Sequence, residues 1–371
     1  MNADVVVVGA GIVGAACAQA LAERGMTVQV LEAGGIGGGA TAAGMGHLVV
    51  MNDSPAEFAL TRYSRELWLA FAPQLRAADA FVRCGSLWVA ADDEECAAAR
   101  AMHQSFAARC VASQLLDART LRECEPALAP SMAGGLLVED DSIVYAPRAA
   151  QWLLAESLGA RRIRVRTAVE VVAVERGAVT LASGERVSGQ HIVVANGLAA
   201  TRLLPTLPMQ AKKGHLLITD RYPGFISHQL LELGYIKSAH HATGTSVAFN
   251  AQPRPTGQLL IGSSRQFDAL DADVELPVLA RMLERAVQYL PALAQMNGLR
   301  SWTGFRAATP DGLPLIGPIG DTANRIWAAT GHEGLGVTTS LATAQLLAAQ
   351  IVGETPPIAC EPYLPARFPQ D

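Results

Sequence analysis

An unbroken apolar run, Val5 to Val8, opens the clearest pattern in the chain, and the period changes immediately after it. The stretch DVVVVGAGIVGAACAQALAERGMTVQVLEAGG (4–35) reads as a strand, a glycine turn, a helix and a second strand. An apolar run without polar alternation predicts a strand buried on both faces. VEVVAVERGAVTLASGERVSG (169–189) breaks instead into short β segments and predicts a meander. HIVVANGLAA (191–200) follows it as an apolar strand ending in a small-residue turn. RIWAATGHEGLGVTTSLATAQLLAAQIVG (325–353) predicts a strand, a glycine loop and a long helix capped at Gly353. Residues near 80–142 and 206–302 are richer in β patterns and turns. IGGGATAAGMGHL (36–48) has too much glycine and alanine for a strand and lacks helical periodicity.

The length of 371 residues permits two or three folding units and a large core. Half the residues are apolar and 17% are charged, as in a folded rather than a disordered chain. A formal charge of −5 and the absence of a basic block argue against nucleic acid as the main partner. No uninterrupted apolar run approaches the roughly 20 residues of a membrane span. The start, MNADVVVVGAG, lacks a basic leader and a small-residue cleavage site, so a cytoplasmic protein is expected. Six cysteines stand far apart with no C-x-x-C pair. That argues against an iron–sulfur cluster or structural zinc and predicts reduced, mostly buried thiols. The histidines include one adjacent pair, His240–His241, but no H-x-x-x-H ladder, and no metal site is expected.

Gly9, Gly11 and Gly14 stand at G-x-G-x-x-G spacing between the predicted strand and helix. The first makes the tight turn, the second lets backbone approach a pyrophosphate, and the third lets the helix pack on the strand. The helix N-terminus offers N–H groups and its positive dipole end to phosphates. Glu32, 18 residues after Gly14, ends the second strand and is placed to accept hydrogen bonds from a ribose diol. Together these features predict dinucleotide binding, without choosing between NAD and FAD. The small residues of 36–48 suit a chain crossing beneath a large flat ligand, although a flexible surface loop has the same composition. A second helix N-terminus, near Gly336 to Thr338, could stabilise negative charge on a reduced flavin. Arg306 lies in WTGFRAATPDGLPLIGP (302–318), between Phe305 and Ala307, a poor setting for a solvated face. It answers either to a structural ion pair or to an anionic ligand.

These segments, with GSLWVA (85–90), KKGHLLIT (212–219) and QLLIGSS (258–264), resemble the FAD-dependent D-amino-acid oxidase superfamily in its glycine/sarcosine oxidase branch. The resemblance covers essentially the whole chain. ATAAGMGHLVV and GHEGLGVTTS are most similar to bacterial D-hydroxyproline dehydrogenases, with hydrogen cyanide synthase and opine oxidase flavin subunits close by. The resemblance implies an α/β fold: a Rossmann-like, glutathione-reductase-like FAD-binding domain interleaved with an α+β substrate domain built on an antiparallel sheet. It assigns residues 1–79, 143–205 and 303–371 to the FAD-binding domain, and 80–142 and 206–302 to the substrate-binding domain. It implies noncovalent FAD held by Gly9, Gly11, Ile12, Val13 and Gly14, by Glu32 and Ala33, and by Thr41, Ala42, Gly44, Met45, Gly46 and His47. Further cofactor contacts are expected from Val172, from Ala195, Asn196 and Gly197, and from Gly304 and Arg306. The last group is His332, Glu333, Gly334, Leu335, Gly336, Val337 and Thr338.

The reaction so implied is oxidation of the C–N bond of a small D- or cyclic amino acid, D-hydroxyproline or D-proline first. A hydride would pass from Cα to flavin N5, leaving an imine. In glycine-oxidase-like enzymes the arginine of a G-[LF]-R motif holds the substrate carboxylate, and the match is Arg306. A planar guanidinium can take a carboxylate through two parallel hydrogen bonds. Tyr235, in GYIKS, resembles a substrate-facing tyrosine, and His47 is the third catalytic candidate. For His47 and His332, in flavin-facing loops, a packing or hydrogen-bonding role is favoured over a catalytic one, and Met45 is placed either by the flavin ring or in the core. Two departures stand out. Glycine oxidases carry an arginine where Gly334 stands, and the cysteine that links FAD in monomeric sarcosine oxidases is replaced by Gly304. Rival readings are a glycine/sarcosine oxidase, an opine- or hydrogen-cyanide-forming flavin subunit, and a nonenzymatic FAD-binding subunit of an electron-transfer complex. The expected partners are an amino-acid substrate and an acceptor, whether quinone, oxygen or an iron–sulfur subunit, in a homo- or hetero-oligomer. Membrane association would come only through that acceptor.

Overall fold

The computed structural model describes residues 3–234, 244–267 and 269–368. Tyr235 and the His240–His241 pair lie outside the described residues. The chain divides into two compact units. Met1–Asp79, Val144–Ala211 and Phe305–Asp371 form the first, and Ala80–Ile143 and Lys212–Gly304 form the second.

In the first unit the apolar run forms strand Ala3–Val8, flanked in parallel by Val28–Leu31 and Arg186–Val194. Successive side chains of a strand point to opposite faces. Val5, Val6 and Val7 are fully buried and Val8 nearly so, which means that both faces are covered. Each such burial contributes about 1.5–3 kcal/mol. The sheet order is Leu315–Pro318, Ile326–Thr330, Arg186–Val194, Ala3–Val8, Val28–Leu31, Ile163–Arg166, parallel throughout except for the first pair. Helix Ile12–Glu23 is buried from Ile12 to Ala22. Its alanine, glycine and cysteine side chains let it pack closely against helices Gly336–Val352 and Ala146–Ala155. The meander is present: Val171–Glu175, Ala178–Leu181 and Arg186–Val194 pair antiparallel. Its Val171, Val179 and Leu181 join Val6, Val8 and Leu31 in one apolar cluster. Gly353 ends the last helix with φ +77°, a conformation that glycine adopts without strain.

The second unit is built on a sheet in the order Gly298–Ala308, Gln210–Arg221, Gln258–Arg265, Ser246–Pro253, Gln229–Glu232, Ser86–Ala90, Gly134–Val138, Gln114–Asp117. The two unit boundaries at 211/212 and 304/305 fall inside its strands Gln210–Arg221 and Gly298–Ala308. Its defined registers are antiparallel with one exception, the parallel pair of Gln229–Glu232 and Ser86–Ala90. Helix Leu276–Tyr289 packs on Ser246–Pro253 and Gln258–Arg265, with Phe249 and Tyr289 stacked at 4.5 Å. The stretch 80–142, expected to be rich in β structure, also carries helices Asp93–Ala107 and Ala118–Cys124. The Asp92 and Asp117 carboxylates start them by accepting first-turn N–H groups, a local preference that outweighs the β-like composition.

The expectation of mostly buried thiols is corrected. Cys17 and Cys360 are buried, Cys84, Cys96 and Cys124 are half-buried, and Cys110 is exposed. Burial pushes the Cys17 thiol up to about 12 and the Cys84 thiol up to about 11. Among the described residues, no helix is long and apolar enough to cross a membrane.

Candidate functional site

The glycine turn is fixed by main-chain approach. Gly9 has φ +103°, donates its N–H to Leu31 O at 2.8 Å, and would place a Cβ 2.8 Å from Ala195 O. A Cβ on Gly14 would stand 2.1 Å from Gly9 O. Ala195 N–H in turn bonds Val8 O, so the turn after strand Arg186–Val194 closes against the fingerprint. Beside it, the Asn196 Oδ1 atom is buried without a hydrogen-bond partner among the described residues. Gly197 O accepts the Thr330 hydroxyl at 3.0 Å. Helix Ile12–Glu23 begins at Gly11 with no capping bond from that residue, and the Ile12 N–H finds Thr41 Oγ1 at 3.0 Å. Val13 follows within its buried first turn.

Glu32 accepts from Ala10 N–H through Oε2 and from Gly34 N–H through Oε1, each at 2.7 Å. Each carboxylate oxygen can accept a further bond, so these contacts orient the group and leave capacity for a diol. Ala33 is exposed next to it. Val169 N–H bonds Glu32 O at 3.0 Å, which brings the approach to strand Val171–Glu175 alongside, and Val172 is 50% exposed on that strand.

The 36–48 stretch, expected to have no regular structure, contains a five-residue helix, Gly39–Ala43. Five residues are too few for a helical period to register in the sequence. Thr41 and Met45 are buried, Ala42 and Gly44 are exposed, and a Cβ on Gly46 would stand 2.0 Å from Val144 O. His47 is half-buried, and its carbonyl accepts the Thr338 hydroxyl at 2.8 Å.

That bond ties the loop to the start of helix Gly336–Val352. Leu335 precedes the helix without a side-chain cap, and Trp68 Nε1 donates to Val337 O at 3.2 Å. The glycine loop before the helix is stitched to the strand that carries Arg306. Ala308 and His332 form an antiparallel bridge, and Glu333 N–H bonds Ala307 O at 2.9 Å. Arg306 is half-buried, as is Gly304 two residues earlier. A Cβ on Gly334 would lie 3.6 Å from Arg306 Nε and 3.8 Å from its Cδ. His332 is buried, contacts Thr343 Oγ1 through Nε2 at 3.0 Å, and is pushed down to about 3 by burial. It is therefore neutral in the folded chain near neutral pH.

The first unit thus gathers the fingerprint, Glu32, the 41–47 loop, the 195–197 turn and the 331–338 loop. Two residues that support this arrangement are absent from the sequence reading. One is Trp68, whose indole donor marks it only once its partner is seen. The other is Arg367, which takes Asp311 through Nε at 2.7 Å and Nη2 at 3.0 Å and pins the turn after Arg306. Burial alone would raise the Asp311 carboxyl, but the Arg367 bonds hold it below the usual range.

Residues 4–350 match the DAO family, described as FAD dependent oxidoreductase, and the chain belongs to that family. It is 28% identical to glycine oxidase of Pseudomonas aeruginosa, the match covering 99% of each chain. It is 27% identical to hydrogen cyanide synthase subunit HcnC of the same bacterium, over 98% of this chain and 96% of that one. The crystal structure of glycine oxidase from Geobacillus kaustophilus superimposes with a TM-score of 0.87 at 25% identity, covering 99% of both chains. The protein is an FAD-dependent oxidoreductase, and FAD is its cofactor. The unpartnered Asn196 Oδ1, buried beside the glycine turn, fits such a ligand.

Proposed function

We propose that the protein oxidises the C–N bond of a small D- or cyclic amino acid, with D-hydroxyproline or D-proline as substrate and an imine as product. The observation that carries this reading is Arg306, half-buried and set beside the side-chain-free Gly334 of the loop that opens the C-terminal helix. The guanidinium grips the substrate carboxylate in two parallel hydrogen bonds and so fixes where Cα lies. The first unit is the FAD-binding one, the second the substrate-binding one. Gly9, Gly11 and Gly14 would admit the pyrophosphate, Glu32 would take the ribose diol, and the first turn of Gly336–Val352 would favour negative charge on the bound cofactor. When bound, FAD would supply the two-electron oxidation of the substrate C–N bond. His332, held neutral by burial, keeps the loop in place and contributes no charge. With glycine at 304, the cofactor is held without a covalent link at that position.

A second reading is a flavin subunit of a larger assembly that passes electrons to a quinone or an iron–sulfur partner. The full-length similarity to a protein named as a hydrogen cyanide synthase subunit favours it. The second reading concerns the electron acceptor, whereas the substrate of the first is tested on its own. An anaerobic screen of D- and L-amino acids, following loss of flavin absorbance, should give faster bleaching with D-hydroxyproline or D-proline than with glycine or sarcosine. A clear preference for glycine would move the protein to the glycine-oxidase or hydrogen-cyanide-forming reading.

A further inference from the structure

A buried histidine of the second unit carries a main-chain bond that its ring can make in only one protonation state. His215, on strand Gln210–Arg221, is fully buried. Its Nε2 accepts the Glu275 N–H at 3.0 Å. A main-chain N–H can only donate, so Nε2 is bare and the ring proton sits on Nδ1, which donates to Ser264 Oγ at 2.9 Å. His215 N–H bonds the same oxygen at 2.9 Å, which fixes the ring against its strand. Glu275 is the N-cap of helix Leu276–Tyr289, and its carboxylate is held as firmly as its N–H. Lys213, fully buried two residues before His215, reaches Glu275 Oε1 at 3.0 Å and Asp271 Oδ1 at 2.8 Å. Gln266 Nε2 adds a bond to Glu275 Oε1 at 2.8 Å. Residues 269–275 form no helix or strand, and Asp271, Ala272 and Asp273 are exposed. Ala272 O accepts the Thr303 hydroxyl at 2.7 Å, on the strand that continues to Arg306. The segment is a surface loop pinned by buried groups, and one of those groups titrates near neutral pH.

We propose that His215 is an acid-sensitive latch on residues 269–275. A proton taken from solvent at Nε2 removes the lone pair that accepts the Glu275 N–H and sets two donors face to face. Closure and protonation therefore exclude one another: the closed segment shuts the proton out and the open segment admits it. The charged groups that act on the ring are Lys213 from its own strand and Asp271 and Glu275 from the loop and helix start. The neighbouring strand presents the neutral Ser264. Burial, and then the Lys213 charge, hold the imidazole below its ordinary value, while Glu275 and Asp271 act in the opposite direction. The positive end of helix Leu276–Tyr289 also disfavours a cation beside the Glu275 N–H. The carboxylates change charge in a lower range. Bonds from Gln266 and Lys213 hold the Glu275 carboxyl below its usual value, and bonds from Lys213 and the Asp273 N–H do the same for Asp271. The closed segment has its full stability above about pH 6.5 and loses it as the pH falls below that value. This device stands apart from the amino-acid substrate and is tested without it.

Hydrogen exchange of the FAD-loaded full chain is followed by peptide mass spectrometry from pH 7 to pH 4, each rate being divided by the intrinsic rate at that pH. Protection over 269–276 should fall by roughly ten- to twenty-five-fold between pH 7 and pH 5. Residues 286–290, at the far end of the same helix, should keep theirs. His215→Gln puts a group there that does not titrate, and its protection over 269–276 should be the same at pH 7 and pH 5, whether the segment sits closed or open. His332→Gln removes the buried histidine of the first unit and should leave the fall over 269–276 as it is in the wild type. Unchanged protection at pH 5 in the wild type, or an equal fall over 286–290, overturns the proposal. So does a wild-type fall in His215→Gln, or one confined to below about pH 4.5, where carboxylates titrate.

Discussion

At Gly14 an added Cβ would stand 2.1 Å from the Gly9 carbonyl oxygen, whereas at Gly334 the nearest atoms would be Arg306 Nε and Cδ, 3.6 and 3.8 Å away. The first position meets backbone that cannot rotate aside. The second offers ordinary van der Waals room beside a flexible cation. Both glycines belong to the same unit and both stand near a helix N-terminus, yet only one is imposed by main-chain packing. The nucleotide turn is therefore closed to side chains. The loop beside Arg306 is open to them, and a side chain there would alter the surroundings of the guanidinium without disturbing the sheet.

The largest effect is expected at the closed end. Gly14→Ala should cost more than about 3 kcal/mol, because neither strand nor helix can yield without breaking the turn. Flavin content after desalting, and FAD titration of the apoprotein, should show at least a hundredfold loss of affinity or an unfolded chain. Full flavin content in this variant would break the contrast.

An intermediate effect is expected from His332, which anchors the open loop. Its folded pKa of about 3 lies below the ordinary 6.5 because burial penalises the charged ring. Above pH 6.5 neither state holds the proton, and the residue adds no pH dependence. As the pH falls from about 6.5 to about 3, the unfolded chain takes up a proton that the folded chain refuses, and stability declines. The loss should reach about 2 kcal/mol at pH 5. Denaturant unfolding at pH 7 and pH 5 should reveal this slope, and His332→Gln should flatten it. An unchanged slope in the variant would mean that His332 is not the group responsible.

The smallest effect is expected at Gly334 itself. Gly334→Ala should leave stability within about 0.5 kcal/mol and FAD binding unaltered, with only a modest change in apparent substrate affinity. Loss of flavin here would make the two glycines equally constrained and erase the distinction.

Much of the closed end was legible in the sequence, because each feature there is local. The Val5–Val8 run, the three spaced glycines, the meander and the strand–loop–helix of 325–353 all announce themselves through period or turn residues. The helix Gly39–Ala43 did not, because a five-residue element made of small side chains leaves no period. Helix Asp93–Ala107 carried a readable signal in Asp92 followed three residues later by Glu95, obscured by the β-like segments around it. The parallel pairing of Ser86–Ala90 with Gln229–Glu232 joins segments far apart in the chain, and alternation alone does not reveal which strands meet. Trp68 and Arg367 are supports of the same kind, meaningful only once Val337 and Asp311 stand opposite them. Arg306 was visible as an unusual charge, but the space left by Gly334 beside it is a property of the fold.

Carboxylate binding by Arg306 is tested most directly by comparing a free amino acid with its methyl ester in the wild type and in Arg306→Lys. Lysine keeps the charge and loses the two-pronged geometry. If Arg306 grips the carboxylate, the variant should retain FAD while anaerobic flavin reduction by the best substrate slows by about ten- to a hundredfold, the worth of a charge-assisted contact. The ester should be a poor substrate for the wild type, and the variant should discriminate far less between ester and acid. Reduction at the wild-type rate with an unchanged ester penalty, alongside lost thermal stability or lost FAD, would instead make Arg306 a brace of the fold.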